Sequence, residues 1–187
     1  MGYLRIARRA IVLASLALVA ACTTTTITPQ AAQKPAQHYT IVELGSVEPT
    51  DKTWVGEALH FRKGFVDRLR ELKAFDTVND PADGSPPPEA IVVSGAITQV
   101  DKGSKVVRWL IGFGAGRARV EGEFQITDAG GTVLAKFGNA KAYSGGYGFG
   151  GLDLLDIDDI MEKFGADTAD AVVRWSQGKP VDEMRSG

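Results

Sequence analysis

Cysteine and histidine are scarce in this chain of 187 residues: Cys22 is the sole cysteine, and His38 and His60 are the only histidines. One thiol cannot form an intramolecular disulfide, and a zinc site built from Cys and His ligands has too few donors. Charge of either sign is not in excess: 21 Lys and Arg stand against 23 Asp and Glu, for a net charge of −2. That balance gives no electrostatic ground for nucleic-acid binding, and no nucleic-acid partner is expected. Long apolar runs are also missing. The stretch Ala10 to Ala21 spans 12 residues and includes Ser15, short of the roughly 20 that a spanning helix needs.

Catalytic and phosphate-binding patterns are lacking too. Gly112-Phe113-Gly114-Ala115-Gly116 is G-x-G-x-G followed by an expected strand, whereas a dinucleotide site needs G-x-G-x-x-G opening a helix. No Gly-Lys-Ser/Thr follows a glycine loop. Ser144 before Gly145 lacks the flanks of a nucleophile elbow. Asp153, Asp156, Asp158, Asp159 and Glu162 do not have the alternating spacing of a calcium loop; they read as the solvated start of a helix, complementing its macrodipole. The expectation is therefore no enzyme activity, no cofactor and no metal. The alternative is a small-ligand carrier or enzyme using the Gly-rich loops.

What is present begins at the N-terminus. Arg5, Arg8 and Arg9 precede the short apolar run, which ends in Val19-Ala20-Ala21-Cys22. A basic start, a short apolar run and small residues before a cut describe a secretory signal over 1–21. The last four residues resemble the lipobox of bacterial lipoproteins. That resemblance implies cleavage before Cys22, a lipid on its thiol and an acylated new N-terminus, so the expected partner is a membrane, reached through the anchor. Removing the three leader arginines takes the net charge from −2 to −5. In the enterobacterial sorting pattern Asp after the cysteine retains a lipoprotein at the inner membrane; Thr23 implies the outer membrane, facing the periplasm.

Residues 22–38 comprise the lipidated cysteine and a stretch rich in Thr, Gln, Ala and Pro, expected to be a disordered tether. An α+β domain is expected over 39–178 and a frayed tail over 179–187. The domain opens with a strand near 39–47. Ala58, Phe61, Phe65, Leu69 and Leu72 then recur at helical spacing, with Thr53 as N-cap and Glu57 on the polar face. Gly64 within that helix costs about 1 kcal/mol relative to Ala and marks a close neighbour. A short strand at 75–78, an exposed loop at 79–88 and a strand at 90–100 follow, with Gly95 marking a bulge or close approach. Residues 120–127 alternate, with Val120, Gly122, Phe124 and Ile126 on one face. Asp128-Ala129-Gly130-Gly131 turns the chain into a strand over 132–143. After a Gly-rich loop at 144–151, a helix over 156–177 carries Ile157, Met161, Phe164, Thr168, Val172 and Trp175 on one stripe, and Gly178 ends it. The order β-α-β-β-β-β-α predicts a single antiparallel sheet with two helices packed on one face.

Gly95-Ala96-Ile97, Asp101-Lys102-Gly103-Ser104, Arg108, the Gly112 to Gly116 run and Asp128 to Gly131 occur in an order that resembles the bacterial lipoproteins of domain of unknown function 4410. The resemblance covers about 39–178, with its motifs in 95–135. It implies no activity and no catalytic residue. More loosely, the element order is similar to envelope lipoproteins that activate peptidoglycan synthases and to the N-terminal domain of the Tol periplasmic protein.

The strongest local asymmetry lies between Lys102 and Val120. Lys102, Lys105, Arg108, Arg117 and Arg119 are interleaved with apolar residues including Trp109 and Phe113, without an acid. Two readings stand. The apolar residues pack in the domain and the basic groups pair with Glu121, Glu123 or the acidic helix start. Or the segment is an interaction surface for an anionic membrane or an envelope protein partner. The function expected overall is a lipid-anchored, periplasm-facing binding or scaffold domain.

Overall fold

The computed structural model describes residues 23–80, 82, 84–102, 118–143 and 156–182. Six strands form one sheet: β1 (Thr23–Ala32), β2 (Ile41–Pro49), β3 (Thr77–Asn79), β4 (Ala90–Asp101), β5 (Ala118–Asp128) and β6 (Val133–Tyr143), in the spatial order β1-β6-β5-β4-β2-β3. Two helices, α1 (Val55–Leu72) and α2 (Ile157–Ser176), complete the described elements, with a short 3₁₀ turn at Lys52–Trp54 before α1. From β2 onward the order is the expected β-α-β-β-β-β-α.

The sheet is mixed, which corrects the antiparallel expectation. β4, β5, β6 and β1 pair antiparallel in succession, but β2 pairs parallel with both β4 and β3. The cause is α1. A helix between β2 and β3 brings the chain back to the end where β2 began, so the next strand enters in the same direction. The alternation that suggested an antiparallel sheet lies in β5, whose own neighbours are antiparallel.

Residues 23–32 also depart from expectation: they form the edge strand β1, from Thr23 opposite Tyr143 to Ala32 opposite Ala135. β-Branched Thr and Ile suit a pleated strand, and the inward positions find partners on α2. Ile27 is buried, Thr25 Oγ1 donates to Asp167 Oδ2 at 2.8 Å, and Trp175 Nε1 donates to the Gln33 carbonyl at 2.8 Å. The described fold therefore already includes residues 23–32. It also runs past 178, because Val181 is buried and Arg174 Nε holds the Pro180 carbonyl at 2.9 Å.

Both helices lie on one face of the sheet, as expected. Phe61 of α1 stacks on Phe124 of β5, with centroids 5.2 Å apart and planes 6° from parallel. Phe164 of α2 packs on the same Phe124 ring at 6.0 Å and on Phe61 at 5.6 Å. Gly64 and Gly165 make the helix crossing possible. A Cβ at Gly64 would lie 2.0 Å from the Glu162 carbonyl oxygen, and one at Gly165 would lie 2.2 Å from that of Phe61.

Caps follow local chemistry. Asp51, not Thr53, starts the first helical segment: its carboxylate accepts from the Thr53 amide and hydroxyl, each at 2.8 Å, and these bonds hold its pKa below the ordinary carboxylate value. α2 ends as expected, with Gly178 at φ +71° and the Lys179 amide bonded to the Arg174 carbonyl.

Candidate functional site

With both helices on one side, no described element covers the other face of the sheet. Outward positions of β1, β6, β5 and β4 are occupied by Thr24, Thr26 and Thr28; Lys136, Gly138 and Ala140; Arg119, Glu121, Glu123 and Gln125; and Ser94, Ala96 and Thr98. Small and polar side chains make this face flat and wet. A shallow basin of about 330 Å³ lies on it, bordered by Thr26, Thr28, Thr98, Arg119, Glu121 and Glu123.

One end of the sheet gathers several sequence-derived candidates. Thr23, Tyr143 and Ala118 are in register there, and Asp101 is opposite Arg119. Lys102 Nζ sits 2.8 Å from Glu57 Oε1 in the first turn of α1. This hydrogen bond holds Glu57 below its ordinary pKa against the opposing effect of burial, and raises that of Lys102. Arg119 is paired with Glu121. Thus Lys102 and Arg119 come to the same end of neighbouring strands and both have acidic partners. Glu57, placed on the polar helix face by periodicity, is buried against Lys102 instead. Cys22, Lys105, Arg108, Trp109, Phe113 and Arg117 lie outside the described residues, as do the two Gly-rich loops at 112–116 and 144–151.

A second set of charges joins the helices. His60 Nδ1 is 3.3 Å from Glu162, and His60 Nε2 is 3.4 Å from Asp158. Lys63 Nζ is 2.8 Å from Glu162, which raises the lysine pKa and lowers that of the carboxylate. Further along, Arg68 Nε is 2.9 Å from Asp170. The pairing order shows that α1 and α2 run parallel. Asp156 accepts from the Asp158 amide as the α2 N-cap. Among the described residues no group of His, Cys, Asp and Glu is arranged to hold a metal, and no described helix is long and apolar enough to cross a membrane.

Three buried polar groups escaped the reading of periodicity. Glu43 is 1% exposed; its Oε1 accepts from Asn79 Nδ2 at 3.3 Å. Asn139 donates to Thr168 Oγ1 at 2.9 Å, and Thr168 donates to the Phe164 carbonyl. Lys141 is buried against Asp167. Asn139 and Lys141 both occupy inward positions of β6, beside Phe137. Polar residues at alternate core positions of one strand are the signal that a helix partner must supply hydrogen bonds.

Fold and surface together define an α+β domain with a mixed sheet, two parallel helices on one face and, among the described residues, nothing on the other. Residues 58–146 match the family described as domain of unknown function (DUF4410). This is the family whose motifs the sequence resembles, and the match runs from within α1 to just past β6. No curated protein matches the chain. Among solved structures, the PelC dodecamer from Paraburkholderia phytofirmans is similar at 15% identity and TM-score 0.50, covering 84% of this chain and 99% of that one. A Xanthomonas campestris protein assigned to the DUF330 family model is similar at 9% identity and TM-score 0.51, covering 83% and 93%. At these identities the likeness concerns the fold.

Proposed function

We propose that this protein is a lipid-anchored, non-enzymatic binding or scaffold domain of the cell envelope, held at the outer membrane through Cys22 and facing the periplasm. The lipobox-like Val19-Ala20-Ala21-Cys22 supports the anchor. The observation that carries the binding role is the uncovered sheet face, flanked by the edge strand β1. From Thr23 to Thr28, before Pro29 and the register shift beside it, this strand has no charged residue and is β-branched throughout, and such an edge can accept another strand. The Paraburkholderia protein of this fold is a dodecamer, so a second copy of this chain is one partner such a surface can take.

Site-specific photo-crosslinking in cells tests the reading. A crosslinker at Thr26 or Glu123 on the open face is expected to give adducts of defined mass, while one at Arg70 on the helical layer gives none. An adduct at twice the chain mass identifies self-assembly. Equal capture from Arg70, or none from the open face, refutes the proposed surface. A small molecule retained by the purified protein, and lost on changing the Gly-rich loops, favours the carrier or enzyme alternative.

A further inference from the structure

The end of the sheet that carries Thr23 is where a lipid on Cys22 would act, because consecutive Cα atoms are only about 3.8 Å apart. Thr23 is fixed by register opposite Tyr143, and Tyr143 in turn opposite Ala118. The anchor therefore joins the folded unit without slack. At the same end Lys102 reaches Glu57, which places the first turns of α1 there. Val55 and Leu59, one turn apart on α1, are 54% and 63% exposed, the large apolar side chains most open to solvent among the described residues. β1 and β4 are three strand spacings apart in the sheet order, roughly 14 Å, so anchor and apolar pair lie side by side at one end. The β5–β6 hairpin lies at the other end, the length of β5 away, roughly 34 Å for its 11 residues.

We propose that the domain stands on the bilayer by this end, with Val55 and Leu59 at the boundary of headgroups and acyl chains and the β5–β6 hairpin pointing away. The proposal rests on the lipid-anchor reading of Cys22. The occupant of the apolar pair is the lipid surface, because a lipid on Cys22 is one peptide link from Thr23 and holds this end of the sheet at the bilayer. Apolar side chains at the acyl boundary gain by leaving water. Charges of both signs meet at this end, Lys102 and Arg119 beside Glu57, Glu121, Asp156 and Asp158, so the contact rests on apolar burial and the covalent anchor.

The test uses the full, processed protein in phosphatidylcholine vesicles whose acyl chains carry bromine as a fluorescence quencher. With Cys22 acylated, a single added thiol takes the fluorophore, in Val55→Cys or in Thr132→Cys, both exposed sites. The probe at 55 is expected to lose most of its fluorescence to the brominated lipid and the probe at 132 to keep it. Intact mass first reports whether Cys22 is acylated. Unmodified Cys22 overturns the anchor reading and this proposal with it. Acylated Cys22 with equal quenching at both sites, or stronger quenching at 132, overturns the orientation alone.

Discussion

The helix crossing makes opposite predictions for two glycines on the same helix. A Cβ at Gly64 would fall 2.0 Å from the Glu162 carbonyl oxygen, where ordinary contact begins at 3.4 Å, and the next nearest atoms are also Glu162 backbone. Backbone cannot turn aside as a side chain does, so α1 and α2 would have to part by roughly 1 Å or more. Phe61, Phe164 and Met161 are fully buried and would lose contact with the sheet or each other. Overpacking of this kind costs about 1–3 kcal/mol, occasionally more. Ala gains about 1 kcal/mol over Gly in helix propensity. With the contact on rigid backbone, the cost falls at the upper end of that range, and the net expectation for Gly64→Ala is a loss of about 2 kcal/mol. Gly56, in the first turn of α1, has nothing within 4 Å of its would-be Cβ, so Gly56→Ala gains up to about 1 kcal/mol. Urea unfolding of the purified protein measures both. Gly165→Ala opens the same crossing from the other side, and one separation relieves both clashes, so the double variant costs less than the sum of the singles. Gly64→Ala within about 0.5 kcal/mol of wild type, or an additive double variant, would refute the backbone contact.

Phe61→Ala removes the ring that touches Phe65, Phe124 and Phe164 and is expected to cost about 3–5 kcal/mol in the same assay; an unchanged midpoint would contradict its central place. Lys102→Ala is expected to flatten the acid limb of stability. Glu57 is held below its ordinary 4.5, first by the Lys102 hydrogen bond, so its contribution is present above that value and lost as pH falls through the depressed one. Wild type should therefore lose more stability than the variant below about pH 4.5; parallel pH curves would show that the pair does not form. Amide exchange of residues 24–32 is expected to be slow, because β1 pairs with β6 along its length. Exchange at the rate of free chain would restore a tether in place of β1.

The sequence made legible those features whose cause is local. The stripes of α1 and α2, the β5 alternation, the Asp128–Gly131 turn and the Gly178 helix end depend on neighbours within a few residues. Gly64 was legible as a close approach, although its partner, Glu162, lies on the other helix. Features set by distant partners were not legible. The direction of β2 against β4 follows from the crossover, not from the strand's own residues. Glu57 belongs to the polar face by spacing, yet it is buried and paired with Lys102, which follows β4. Of the basic candidates, Lys102 and Arg119 fit the reading in which such groups pair with acids, though only the Arg119 partner, Glu121, was among those expected.

The edge strand changes what a lipid on Cys22 could do. A flexible segment of 16 residues would reach roughly 20–25 Å and let the domain search for a partner away from the lipid. Thr23–Ala32 is instead committed to β6, and the onward chain is held as well, by the Gln33 amide on the Leu134 carbonyl and the Thr40 amide on that of Glu89. A strand of ten residues, nine of them paired with β6, cannot be spent as reach without breaking the sheet and exposing Ile27. On the proposed anchoring, a partner must therefore come to the domain within the height of one strand above the membrane, about 34 Å for β5. The surfaces it can meet there are the open sheet face and the far β5–β6 hairpin, while the end beside the anchor belongs to the lipid.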